Sequence, residues 1–356
     1  MKKIIAVFFC VVIGFAVFFL LRGNRKDNFS FQTSFKNTSE TSTPSLGQEE
    51  KGLFVPYWTL ANLDTNGYTK FYYFGVAADE NGVDKSEQGF INLKTFVSQT
   101  KGAQTYLVVR MVNSRVNDKI LSNAKSQKTI AQNAASIARQ NGFAGVVLDF
   151  ELSALGFESV TNNVSAFYKT FSDVSKQNNL KFLVTLYGDT FYAGRPYDVK
   201  TIAKISDAVL VMAYDFHKSN GADPGPNFQL NGRDTYGYDF KQMTNDFTKE
   251  IPKEKLTVVF GMFGYDWTVD EKNRSEKQAT PLSDLEIKQK FLGNCMFSDC
   301  KITRDSESAE EKVLYTDSLG KNHVVWFEDQ SSVDQKEKYL RSQGINSFAF
   351  WANSYF

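Results

Sequence analysis

Cysteine, histidine and proline are all scarce in this chain. Of 356 residues only 3 are Cys and 2 are His, which excludes a disulfide-stapled small domain and a multi-cysteine zinc site. Any histidine-dependent metal centre or Ser/His/Asp triad would have to use His217 or His323. An excess of charge of one sign is also missing. The 41 Lys and Arg and 40 Asp and Glu leave a formal charge of +1, which rules out a nucleic-acid surface built on bulk positive charge. With 7 Pro and 23 Gly, the chain is neither collagenous nor broadly disordered. No glycine-rich phosphate fingerprint follows the first apolar run of the globular part, so no cofactor is implied. Aromatic surface is abundant, with 32 Phe, 16 Tyr and 4 Trp, and a sizeable core is expected.

Residues 4–21 read IIAVFFCVVIGFAVFFLL, flanked by Lys2 and Lys3 before and by Arg22, Arg25 and Lys26 after. Eighteen residues of helix span about 27 Å, close to the bilayer hydrocarbon thickness, whereas a signal-peptide core has roughly 7–15 residues. Residues 1–22 therefore read as a transmembrane anchor or, with cleavage, a signal segment. Length favours the anchor, which makes a lipid bilayer a partner through residues 4–21; the flanking charge is nearly symmetric and does not set the orientation, and the remainder is expected outside the cytoplasm. Residues 23–52, polar and rich in Ser, Thr and Asn, read as a flexible tether.

From residue 53 to 356 eight apolar, β-branched or aromatic runs recur: LFVPYW (53–58), KFYYFGVA (70–77), TYLVVRMV (105–112), FAGVVLDFEL (143–152), KFLVTLYG (181–188), AVLVMAYDF (208–216), LTVVFGMFGYDW (256–267) and INSFAFW (345–351). Helical spacing lies between them, as in Val160, Val164, Phe167, Phe171 and Val174. Strand alternating with helix implies a parallel sheet covered on both faces. Eight units in about 300 residues point to a (β/α)8 barrel, with a doubly wound sheet as the alternative. Polar residues gather at the C-terminal ends of the runs, where barrel active sites lie. Residues 268–332 are too long for one connection and predict an insertion between strands seven and eight, with a hairpin turning near Ser318 to Asn322. The chain ends at Phe356 with no segment for an eighth helix, so the barrel is expected to be capped otherwise or open on one side.

In the fourth run, residues two apart share a face, which puts Val147, Asp149 and Glu151 on the barrel-facing side. Burying two unpaired carboxylates together is costly and pushes one pKa upward, which is what a general acid needs at neutral pH. A salt-bridge cluster is the plainer alternative. The sixth run ends in Met212, Tyr214 and Asp215; Tyr57 and Trp58, Tyr265, Asp266 and Trp267, and Trp351 end the first, seventh and eighth. Aromatic faces beside carboxylates suit a sugar, although each ring taken alone is more readily core packing.

These residues carry a resemblance. GFAGVVLDFE resembles the fourth-strand signature of glycoside hydrolase family 18, Asp-Gly-x-Asp-x-Asp-x-Glu, with Gly145, Asp149 and Glu151 in register and with Ala144 and Val147 in place of two Asp. Met212-x-Tyr214-Asp215 is similar to that family's sixth-strand motif and Trp351 to its eighth-strand tryptophan. FGYDW (263–267) and VVWFED (324–329) are similar to its spore-germination and cortex-lytic branch. The resemblance implies a substrate-assisted, retaining hydrolase of N-acetylglucosamine-containing polysaccharide, an exception to two-carboxylate hydrolysis. Glu151 would be the acid/base, Asp149 the residue that orients the 2-acetamido group, and Tyr214 its hydrogen-bond donor. Asp215, Met212 and the aromatic residues would hold the sugar. Val147 leaves Asp149 without a carboxyl partner, which favours its ionised form, while burial opposes it. A catalytically weak, glycan-binding protein of the same fold is the alternative.

The remaining features are ambiguous or plain. His217 either lines the cleft or bonds within its loop. Cys295 and Cys300 are a disulfide candidate outside the cell, no metal site is indicated, and the charge run from Arg304 to Lys312 reads as a solvated face.

Overall fold

Eight parallel strands close on themselves. The computed structural model describes residues 49–152 and 156–356. The expected anchor over residues 4–21 lies outside the described residues, among which no helix is long and apolar enough to cross a membrane. The barrel strands are β1 (Glu50–Pro56), β2 (Lys70–Asp79), β4 (Gln104–Met111), β5 (Gly145–Phe150), β6 (Lys181–Tyr187), β7 (Ala208–Ala213), β8 (Leu256–Gly261) and β14 (Ser347–Trp351), with the short β3 (Gly82–Val83) folded back on β2. Each pairs with its neighbour in sequence order, and β1 closes the ring by pairing with both β2 and β14. Each of the eight apolar runs contains one of these eight strands.

The tether ends earlier than hydropathy suggests. Glu50, Lys51 and Gly52 belong to β1, because backbone pairing opposite Ser347, Phe348 and Ala349 and an ion pair from Glu50 to Lys70 hold them. The seventh run is two strands rather than one. Leu256–Gly261 stays in the barrel, and the chain then bends into β9 (Phe263–Val269), which joins β10 (Thr280–Ser283), β11 (Ser298–Arg304), β12 (Glu311–Thr316) and β13 (Asn322–Phe327) in an antiparallel sheet. The insertion therefore starts at Phe263, five residues ahead of the expected 268, because an uninterrupted apolar run hides a change of sheet. The predicted hairpin is β12–β13, whose turn is held by Asp317 and Lys321. Cys295 and Cys300 are joined by a disulfide in the insertion.

Alternation sorts each strand into two cores. Phe54, Tyr72, Phe74, Tyr106, Val108, Val147, Leu183, Leu210, Val259 and Ala349 fill the barrel interior. Their neighbours of opposite parity pack outward against helices such as Ala124–Gln140, capped by Asn123, and Glu158–Gln177, whose Val164, Phe167, Phe171 and Val174 are buried. The position of an eighth helix is filled by single side chains. The Tyr68 and Phe356 rings lie 6.1 and 5.7 Å from that of Phe350 on the outer face of β14.

Candidate active site

Strand parity carries the polar residues to the C-terminal mouth. Arg110 of β4 and Asp149 of β5 are register partners, and Thr185 of β6 donates its hydroxyl hydrogen to Asp149. Asp149 is only 3% exposed. Burial pushes its carboxyl up to about 6, against the pull of the Thr185 hydroxyl and the Arg110 charge. Of the two opposed effects at Asp149, desolvation against apolar neighbours such as Val147 wins over the missing carboxyl partner. Arg110 is itself paired with Glu87 and lies over the Tyr57 and Phe74 rings.

Glu151 sits just past the end of β5. Its amide donates to the Met111 carbonyl (2.9 Å), and its own carbonyl accepts from the Asn117 amide (2.7 Å). The Tyr187 hydroxyl donates to its Oε2 at 2.6 Å. Burial, then the Asp149 charge, then that of Asp215 push the Glu151 carboxyl up to about 8, while Tyr187 and Lys218 pull it down. The Tyr187 ring is held between the Arg195 guanidinium (3.8 Å), which is clamped by Asp189 at 2.5 and 2.7 Å, and the Lys218 ammonium (5.5 Å).

Leu210, Met212 and Tyr214 share one face of β7 and its extension. Burial pushes the Tyr214 phenol far above its ordinary range, with the charges of Asp149, Asp215 and Glu151 adding, so it is a neutral donor. Gly261 makes room for it, since a Cβ there would stand 2.7 Å from that of Tyr214. Asp215 takes a left-handed backbone, φ 59°. It accepts from the Tyr265 hydroxyl at 2.6 Å, and burial raises its pKa. Trp351 closes the floor, 4.7 Å from the Phe74 ring and 5.7 Å from Phe54, and the Trp351–Ala352 bond is cis. Tyr57 and Trp58 lie together at the rim, with Trp58 45% exposed.

Thus Asp149, Glu151, Met212, Tyr214, Asp215, Trp351, Tyr57, Trp58 and Tyr265 converge, and two expected members do not. Trp267 is fully buried among Val269, Ala279, Val324 and Trp326 of the insertion. Asp266 accepts from Tyr315 and bonds the His323 ring, both at 2.7 Å. Both follow from β9 leaving the barrel. His217 bonds the Pro226 carbonyl at 2.8 Å and is a loop residue. Sequence reasoning missed Tyr187, Thr185, Arg110, Lys218 and Asn227. The inward parity that selects Asp149 also selects the first three on their own strands, and would have found them. Among the described residues no group of three or more His, Cys, Asp or Glu is placed to hold a metal ion.

A closed eight-stranded barrel with this acidic mouth agrees with what comparison of the whole chain shows. The profile of glycosyl hydrolases family 18 matches residues 45–355. The chain belongs to that family. It is 24% identical over 323 residues to an uncharacterized glycosylase, YvbX, of Bacillus subtilis, covering 85% of this chain and 87% of that one. It is 22% identical to a cortical fragment-lytic enzyme of Bacillus cereus, covering 80% of this chain and 64% of the relative. Among solved structures, a class V chitinase from Nicotiana tobaccum superposes with a TM-score of 0.74 at 18% identity, covering 86% and 94% of the two chains, a likeness of fold. Membership of family 18 makes the chain a glycoside hydrolase, and its relatives include the cortex-lytic branch that FGYDW and VVWFED resemble.

Proposed function

We propose that this hydrolase cleaves β-1,4 linkages of N-acetylglucosamine-containing glycans, of peptidoglycan or chitin type, by a substrate-assisted retaining mechanism. What supports it is a pair of buried carboxyls at one strand end in different surroundings: burial and the Asp149 and Asp215 charges push the Glu151 carboxyl up to about 8, while the Thr185 hydroxyl and the Arg110 charge favour the ionised form of Asp149. Environments that separate two carboxyl pKa values assign acid and charge-bearing roles. Glu151 donates its proton to the glycosidic oxygen as the C1–O bond breaks, and the substrate's acetamido carbonyl oxygen forms the new bond to C1 from the other face. Asp149 accepts from the acetamido N–H, Tyr214 donates to its oxygen, and Asp215 holds the ring. Glu151, now ionised, takes a proton from the water that attacks C1, which restores the acetamido group with retained configuration.

Matched oligosaccharides bearing 2-acetamido or 2-hydroxyl groups, with the released anomer followed by NMR, test this reading. Cleavage of the first alone, with retention, is expected; equal cleavage or inversion refutes it. Val147, buried in the apolar interior where the family signature has an acid, favours the second reading of a weak, glycan-binding member. Tight binding without cleavage would select it. We further infer that residues 4–21 anchor the barrel to a membrane, since their length fits a bilayer, and that the barrel lies on the outer side, where a glycan of peptidoglycan or chitin type would be met. Protease added to intact cells should then digest the barrel, and its protection until lysis would refute the orientation.

A further inference from the structure

The run from Arg304 to Lys312 is a solvated face only in part: Arg304, Ser306 and Glu307 are exposed, whereas Ser308, Ala309 and Glu310 are buried. Glu310, immediately before β12, is fully buried, and so are Glu328 and Lys336. The Lys336 ammonium pairs with both carboxylates, 3.0 Å from Glu310. The Ser332 hydroxyl donates to Glu328 at 2.5 Å. Two buried acids on one buried cation make a rigid centre, because an ammonium that lost them would be a buried, unpaired charge.

Both oxygens of Glu310 are used beyond the insertion. They accept from the backbone amides of Asn227 (2.6 Å) and Phe228 (2.8 Å), in the loop that follows β7. The Asn227 side chain donates to the carbonyls of Gly261 and Phe263, each at 3.1 Å, where barrel and insertion join. Its Oδ1 accepts from the Asp215 amide at 2.8 Å, and its carbonyl from the Phe216 amide at 2.8 Å. Asp215 is the residue whose backbone is left-handed, a conformation that is strained for most side-chain-bearing residues and less so for Asp.

We propose that Glu310 is a positioning residue: acting through Asn227, it fixes the left-handed backbone of Asp215 and so the direction of the Asp215 carboxylate, making the insertion part of the catalytic apparatus. Lys336 anchors Glu310, and Glu310 anchors the backbone amides of Asn227 and Phe228. The kinetic part rests on the proposed glycosidase activity; the geometric part does not.

The test compares Glu310→Gln with Glu328→Gln in the full chain. Each replaces one carboxyl of the same buried centre and should lower Tm. Only the first touches the Asn227 and Phe228 amides, because a carboxamide offers one acceptor where two are needed. On a chitooligosaccharide, Glu310→Gln should lose tenfold or more in kcat with little change in KM, since small misplacements near the chemistry are costly, while Glu328→Gln should lose less than threefold. In an Asp215→Asn background, Glu310→Gln should cost no further activity. Equal losses from the two single variants, or additive losses with Asp215→Asn, overturn the proposal. Should Glu310→Gln fail to fold, Asn227→Ala leaves the ion centre intact and should show the same loss and the same non-additivity. A crystal structure of whichever variant folds decides the matter without a substrate. Asp215 should leave φ near +59°, and an unchanged Asp215 overturns the proposal. Absence of turnover in the wild type would count against the glycosidase reading alone.

Discussion

Replacing Glu151 by Gln should stabilise the protein at neutral pH while disabling it. The folded carboxyl is raised from the ordinary 4.5 to about 8, by burial first and by Asp149 second. The folded state therefore holds a proton that the unfolded state releases between those values, and stability falls as pH rises through that window. At about 1.4 kcal/mol per pH unit, the interval from 4.5 to pH 7 costs the fold about 3 kcal/mol. Coupling to Asp149 and local relaxation should reduce this to about 2 kcal/mol. A glutamine, neutral at every pH, escapes the penalty. Urea denaturation of wild type and Glu151→Gln at half-unit steps from pH 4 to pH 8 should give nearly equal stabilities at pH 4, a variant more stable by about 2 kcal/mol at pH 7 and a wider gap at pH 8. Turnover should fall by about 10²- to 10⁴-fold, the usual contribution of a proton donor. A stability difference that does not change with pH would refute the placement of Glu151 in a desolvated, acid-flanked site.

Tyr187→Phe removes the hydroxyl that favours ionised Glu151. The alkaline limb of the kcat/KM profile should therefore move up by about one pH unit, as expected for a hydrogen bond to a charged group. Thr185→Val removes the donor to Asp149, which raises the Asp149 pKa, and the acid limb should rise by about one unit in the same assay. Breaking the bond between Cys295 and Cys300, which closes a loop of sequence separation 5, should cost about 2 kcal/mol in thermal denaturation on the chain-entropy account. Lys336→Met leaves Glu310 and Glu328 buried without their cation, and should cost about 3–5 kcal/mol in urea denaturation.

The barrel was legible because each strand is a near-continuous apolar run, as strands of a parallel sheet covered on both faces must be. Asp149 and Glu151 stood out because acids on an inward-facing parity of such a run demand a reason. The errors share a cause. LTVVFGMFGYDW reads as one strand because hydropathy does not register a bend between two sheets, so Asp266 and Trp267 were assigned to a mouth they do not reach. Glu310 reads as solvated because its charge lies in a polar run, and its partner Lys336 is 26 residues away in sequence. Pairing at that separation leaves no local periodicity. Tyr187 and Thr185 needed only the parity argument applied to one more strand.

Val147 sharpens the division of labour between the two acids. Where the family signature has a third carboxyl, this barrel has an apolar side chain with no exposed surface, so no proton can be exchanged between Asp149 and a neighbour below it. The ionised state of Asp149 is then supported by the Thr185 hydroxyl and the Arg110 charge alone. Arg110 in turn is paired with Glu87 and stacked near Tyr57 and Phe74, and its Nε is buried without a hydrogen-bond partner. A guanidinium restrained on one side and unsatisfied on the other gives Asp149 a fixed positive neighbour rather than a labile proton. Under the proposed mechanism, Asp149, ionised above its raised pKa of about 6, serves as the acceptor for the acetamido N–H, and every proton that moves in the reaction passes through Glu151.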